Sequence, residues 1–347
     1  MSIKITKDFI RELPKPELHC HLDGSLRLET ILDLAEKDNV ELPSRNPDIL
    51  RKAVTVTSNN ITLPEYIKKF DLTLSVLQTP ESLTRAAFEL AEDCSKENVL
   101  YLEVRYSPIL HTKRGMTPME TVDAVIKGLK QAEDEFSIKT GIIICGIRSI
   151  SPEISYQLAE LAVAFKNRGV VGFDLAGVEE NFPAKDHREA FYLILDNNIN
   201  TTLHAGEDYG PESIHQAVHY CGAHRIGHGV RLKEDGDLLN YITDHRIAME
   251  ICMTSNIHTG SVKSYETHPF KFYYDYGLRV TLNTDNRLIS NTNLTKEYML
   301  AHKYFNFQIS DFKEIIINGF KSAFLPHRVR TEMIRKIADE LDTYISV

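Results

Sequence analysis

The chain has 347 residues, 42% of them hydrophobic, and a formal net charge of −9. That balance argues against a nucleic-acid polymer as partner, because such proteins carry basic patches that neutralise phosphates. The cysteines Cys20, Cys94, Cys145, Cys221 and Cys252 are odd in number and lack CxxC spacing. They argue against a disulfide framework or a thiolate zinc site and predict free, mostly buried thiols in a cytoplasmic protein.

In chain order, the first stretch, MSIKITKDFIRELPKPE, carries charges throughout and has no apolar h-region, so it does not read as a secretory signal. No later run is long and apolar enough to span a bilayer. ELHCHL at 17–22 is the first predicted strand. Side chains alternate along a strand, so His19, His21 and Asp23 share one face and Cys20 and Leu22 the other. Two imidazoles on one face suit a metal ion, yet an HxH pair alone is more commonly two satisfied polar residues.

About 75 residues separate this strand from the next, far more than the roughly 2–6 of an ordinary connection. The insert, about 28–98, reads as helical. In ITLPEYIKKF, Leu63, Tyr66, Ile67 and Phe70 fall at i, i+3, i+4 and i+7 on one apolar face. That face either packs on the body of the protein or roofs a site.

Seven further apolar, β-branched runs follow, at 99–106, 141–147, 170–177, 199–207, 224–229, 246–253 and 278–285. Helical patterns such as REAFYLILDNN, PESIHQAVHYC and GDLLNYITDH alternate with them. The alternation predicts βαβ units around a parallel sheet. Eight such units predict an α/β fold of the (β/α)8 TIM-barrel type as one domain, 1–347.

Polar groups collect at the ends of these runs. The third ends at Arg148, the fifth at His204 with Glu207 beyond it, the sixth at His228 and the eighth at Asp285. This fold places its chemistry at the C-terminal ends of strands. Imidazoles with a carboxylate suit zinc or a similar divalent ion that activates water. Glu207, near a candidate ligand but past the strand, suits a general acid or base, and His228 suits orientation of the water. The residues alone thus predict a mononuclear metal-dependent hydrolase.

Taken in order, PKPELHCHLDGSL, TLPEYIKKFDLTLSVLQT, LYLEVRYSP, VVGFDLAG, TLHAGE, RIGHG, MTSNIHTG and TLNTDN resemble the adenosine deaminases over nearly the whole chain. The resemblance implies one zinc ion per chain and hydrolysis of adenosine, with deoxyadenosine, to inosine and ammonia in purine salvage. It implies His19, His21, His204 and Asp285 as zinc ligands, Glu207 as proton shuttle and His228 beside the attacking oxygen, with Asp285 also directing that oxygen. It places His21, Asp23, Gly177 and Asn286 at the substrate: Asp23 at the ribose 5′-hydroxyl, Gly177 at the purine edge. It makes Leu63, Tyr66, Ile67 and Phe70 a roof. No nucleic acid, membrane or protein partner is implied.

Two positions depart from the family pattern. Asn286 stands where many members have aspartate, and its amide still offers an N–H to purine N7. Val178 follows DLAG where aspartate is common. Related 6-aminopurines (methylthioadenosine, 6-aminodeoxyfutalosine, adenine) and a non-catalytic nucleoside binder are the alternatives.

Overall fold

A computed structural model describes residues 4–57 and 61–345. The first three residues of the N-terminal stretch, residues 58–60 of the insert, and 346–347 lie outside the described residues.

Eight parallel strands run in chain order around one sheet. They are β1 (Lys15–His21), β2 (Val99–Tyr106), β3 (Lys139–Ile147), β4 (Val170–Ala176), β5 (Asn200–Ala205), β6 (Arg225–His228), β7 (Ala248–Ile251) and β8 (Val280–Leu282). The strands are almost wholly buried, as a sheet covered on both faces requires. Between β8 and β1 the barrel closes through the segment after β8. Leu18 N–H donates to Asn283 Oδ1 (3.0 Å), Asp285 N–H to His19 O (2.8 Å) and His21 N–H to Asp285 O (2.8 Å).

Every predicted strand is present, and the eighth is the most shortened. Its backbone leaves extended geometry before Asp285, which sits at φ +62°. Asp285 is therefore held by β1 rather than by its own strand. Helices intervene as the sequence predicts: REAFYLILD forms Arg188–Asp196, PESIHQAVH forms Pro211–His219 and GDLLNYITD forms Gly236–Asp244. Start signals are written locally. The helix Pro118–Glu135 opens with Thr117 and Glu120 capping each other's backbone N–H and with proline in its first turn.

Among its described residues, the segment between β1 and β2 carries five helices: Leu28–Lys37, Pro47–Val54, Leu63–Ile67, Phe70–Val76 and Pro80–Ser95. The apolar face of ITLPEYIKKF is divided over two of them. At the junction Lys69 N–H reaches only three residues back, to Tyr66 O (3.0 Å), which tightens the turn. Leu63, Tyr66, Ile67 and Phe70 still face one cavity at the barrel mouth. Two backbone bonds fasten the insert there, Val56 N–H to Ile289 O (2.8 Å) and Ile61 N–H to His258 O (3.0 Å). The Tyr66 and Ser290 hydroxyls share a third (2.6 Å).

All five cysteines are free and buried. Among the described residues, no helix is long and apolar enough to cross a membrane.

Candidate active site

The ends of β1 and β5 and the segment after β8 bring four donor atoms together. His204 Nε2 lies 3.1 Å from both His19 Nε2 and His21 Nε2. Asp285 Oδ1 lies 3.5 Å from His19 Nε2 and 3.4 Å from His21 Nε2. Ligands about 2.0–2.1 Å from a tetrahedral zinc ion are about 3.3 Å apart, so this donor set fits such an ion. His228 also stands close: one ligand atom each from His19, His204, His228 and Asp285 lie within 4.8 Å of one another. Two imidazoles, His21 and His228, thus stand beside the His19–His204–Asp285 group: His21 Nε2 is 3.1 Å from His204 Nε2 and 3.4 Å from Asp285 Oδ1, while His228 belongs to the 4.8 Å cluster.

Behind the donors lies a buried charge lattice. His19 Nδ1–H donates to Glu250 Oε2 (2.7 Å) and His204 Nδ1–H to Asp174 Oδ2 (3.0 Å). Each bond leaves Nε2 with its lone pair aimed at the common centre, the tautomer a metal requires. Arg105 joins the two carboxylates, with Nη1 on Asp174 (3.0 Å) and Nη2 on Glu250 (2.9 Å). Arg225 joins Glu250 (2.5 Å) to Glu103. Burial opposes the charge on Asp174, but His204 and Arg105 overcome it and hold the carboxyl well below its usual range. Burial likewise opposes the charge on Glu250, and Arg105 and Arg225 prevail.

Burial and like-charged neighbours keep His21 and His204 below the usual histidine range. His19 is the exception. Burial and Arg105 favour its neutral form, but Asp285 and Glu250 outweigh them and raise it.

Glu207 and His228 face each other across this cluster, Oε2 to Nε2 at 3.4 Å. Burial drives the Glu207 carboxyl well above its usual range, and the negative charges of Asp285 and Glu179 add to that. The loop that carries it is held from both sides. Glu179 accepts the backbone N–H groups of Gly206 (2.8 Å), Glu207 (2.8 Å) and Asp208 (2.9 Å). Arg148 does not enter the cavity; it donates to the carbonyls of His204 (2.6 Å) and Phe182 (3.0 Å). Gly206, at φ +67°, has no space for a side chain, since a Cβ there would sit 2.4 Å from Ile214 Cδ1.

Above the cluster opens a cavity of about 400 Å³, within the size range of small-molecule sites. His21, Asp23, Gly177, Val178, Glu207, His228, Asp285 and Asn286 line it together with the four apolar residues of the insert. His19 lies beneath. No lysine or arginine lines it among the described residues. Asp23 sits in the turn after β1, not on the strand, yet still reaches the cavity. Its Oδ1 has no hydrogen-bond partner, and burial pushes its carboxyl up to about 7.

Asn286 lies directly over Gly24, where an added Cβ would be 1.8 Å from Asn286 Oδ1. Gly24→Ala is therefore expected to displace Asn286 from the cavity wall and lower kcat/KM by about 10–100-fold, the usual cost of misplacing a binding group by an ångström. Steady-state kinetics checks this, with metal content unchanged.

Glu179, Glu250 and Asp174 are functional supports that the sequence reading did not single out. DLAGVE places Asp174 and Glu179 around Gly177, and an acid inside an apolar run such as RIAMEICM is a signal for a buried partner.

The Adenosine deaminase family model matches residues 14–340. The chain is 39% identical over 331 residues to adenosine deaminase of Clostridium acetobutylicum, covering 95% of this chain and 99% of that one. It is 41% identical over 333 residues to the probable adenosine deaminase of Dictyostelium discoideum, where it spans 96% of this chain but only 43% of that longer protein. Among solved structures, the Arabidopsis N6-mAMP deaminase superposes with a TM-score of 0.86 at 30% identity, over 96% of this chain and 99% of that one. Likeness that runs from β1 to the last helix, in a relative matched over almost its full length, makes this chain a member of the adenosine deaminase family.

Proposed function

We propose that the chain hydrolyses the exocyclic amine of adenosine, and of deoxyadenosine, to release ammonia. The observation that carries this reading is the cavity itself: a buried acid, Glu207, faces His228 and Asp285 under an apolar roof, with carboxylates and, among the described residues, no lysine or arginine on the walls. His19, His21, His204 and Asp285 would hold a divalent ion such as zinc, which when bound would supply Lewis acidity that brings the pKa of water toward about 7.

The residues account for the rest. Carbon 6 of adenine is a poor electrophile until ring nitrogen N1 is protonated, and the buried Glu207 carboxyl retains a proton to give. As the water oxygen bonds to carbon 6, His228 donates a hydrogen bond to it and the Glu207 carboxylate takes the released proton. Glu207 then passes that proton to the amine, the C–N bond breaks and ammonia leaves. The oxygen's remaining proton returns to Glu207 as the carbonyl of inosine forms. Gly177 meets the purine edge, Asn286 gives an N–H to N7, Asp23 takes the ribose 5′-hydroxyl, and the insert acts as a lid within one domain.

The same walls favour a nucleoside over a 5′-nucleotide such as the substrate in the Arabidopsis enzyme's name. A phosphate at Asp23 would be buried with no lysine or arginine beside it among the described lining residues. Ammonia release from adenosine, deoxyadenosine, methylthioadenosine, adenine and AMP is the test, with methylamine release from N6-methyl-AMP alongside. Adenosine is expected to lead, with AMP lower in kcat/KM by at least about 100-fold, since an unpaired buried charge costs several kcal/mol. Turnover of the nucleotides alone overturns the reading.

A further inference from the structure

His228 stands within ligand distance of the metal cluster and beside the proton shuttle, so its own proton decides which role is open to it. A chain of buried partners behind the ring fixes that proton. The chain begins at a donor whose direction admits no choice, the backbone N–H of Phe270, which donates to His268 Nδ1 (3.1 Å). Nδ1 of His268 is therefore an acceptor. Burial and the Lys233 charge push His268 down to about 3, so its single proton is on Nε2. That Nε2–H donates to Asn256 Oδ1 (3.2 Å). With its oxygen so engaged, Asn256 turns its Nδ2–H toward His228 Nδ1 (3.0 Å) and donates to it. Reversing the Asn256 amide would set N–H against N–H at His268 and an oxygen against His228. Asn256 and His268 are both buried.

We propose that Asn256 and His268 are positioning residues that lock His228 as a neutral ring with its proton on Nε2, aimed into the cavity. Two consequences follow. Nε2 has no lone pair to offer, so His228 is not a metal ligand despite its proximity, and the fourth donor is His21. Nor does Nε2 accept a proton from water; it donates a hydrogen bond to the attacking oxygen, while Glu207 handles the protons. The second consequence rests on the function proposed above, whereas the tautomer does not.

The test is a long-range proton–nitrogen NMR spectrum of zinc-loaded protein with labelled histidine. His228 is identified among the 14 histidines by the signals lost in His228→Gln. The expected parent spectrum shows a bare Nδ1 and a protonated Nε2. In Asn256→Asp the new carboxylate accepts where the amide donated, so a proton is expected on Nδ1. There kcat should fall roughly 100-fold, comparable to loss of one preorganised donor, with bound metal retained. A bare Nε2 in the parent overturns the proposal, as does Asn256→Asp with parental kcat. If Asn256→Asp does not fold, the parent spectrum decides alone. A parent that releases no ammonia from any nucleoside overturns the proposed function and leaves the tautomer readable.

Discussion

Glu207→Gln is expected to abolish most ammonia release while leaving the bound metal in place. Glutamine keeps the shape of the side chain but neither gives up nor takes a proton at N1. Loss of a positioned acid–base group costs about 100-fold to 10,000-fold, and the effect belongs at the upper end because one carboxyl carries every proton of the reaction. Glu207 is not one of the proposed ligands, so metal analysis should still find one ion per chain. Stability should move the other way. The folded carboxyl is raised above its unfolded value, mainly by burial. Between those two values the unfolded chain gives up its proton more readily, so parent stability falls as pH rises through that window. Glutamine removes that cost, and Glu207→Gln should melt higher than the parent at neutral pH. Activity within tenfold of the parent would remove Glu207 from its role.

The barrel was legible because its signals are local. Alternating apolar runs and helical stretches are written residue by residue, and Thr-Pro starts such as Thr117–Pro118 mark where helices begin. The convergence of His19, His21, His204 and Asp285 was legible for a topological reason: the C-terminal ends of barrel strands surround one mouth. Partners that act from far along the chain were not. Glu17 reads as one more residue of a strand, yet its carboxylate takes the Thr284 hydroxyl (2.8 Å) and backbone N–H and so sets the segment carrying Asp285. Glu250, Asp174, Asn256 and His268 are of the same kind, since sequence shows their polarity and only the fold shows their partner. Arg148 shows the converse. Its position at a strand end suggested the site, while its donors in fact go to two backbone carbonyls. For Val178 the structure adds a position on the cavity wall and no reason for valine.

Asp285→Asn is expected to have the second large effect, and on two properties together. Alanine is the less informative change, because position 285 lies at φ +62°, where asparagine is tolerated and alanine is strained. Asparagine also leaves the backbone bonds that close the barrel between His19, His21 and Asp285. What it removes is charge. Burial opposes the Asp285 carboxylate, but a hydrogen bond from His19 and the neighbouring histidines hold it well below its usual range. Three imidazoles alone then face the ion, and its affinity should fall by more than the about 10–100-fold that outer partners of a metal site are worth. The same charge is the largest electrostatic contribution, after burial, to the raised Glu207 carboxyl, so the proton donor weakens as well. Metal content after dialysis and ammonia release at saturating zinc separate the two effects. Excess zinc should restore occupancy before it restores rate. Full rate at restored occupancy would leave Asp285 as a ligand only, with Glu207 independent of it.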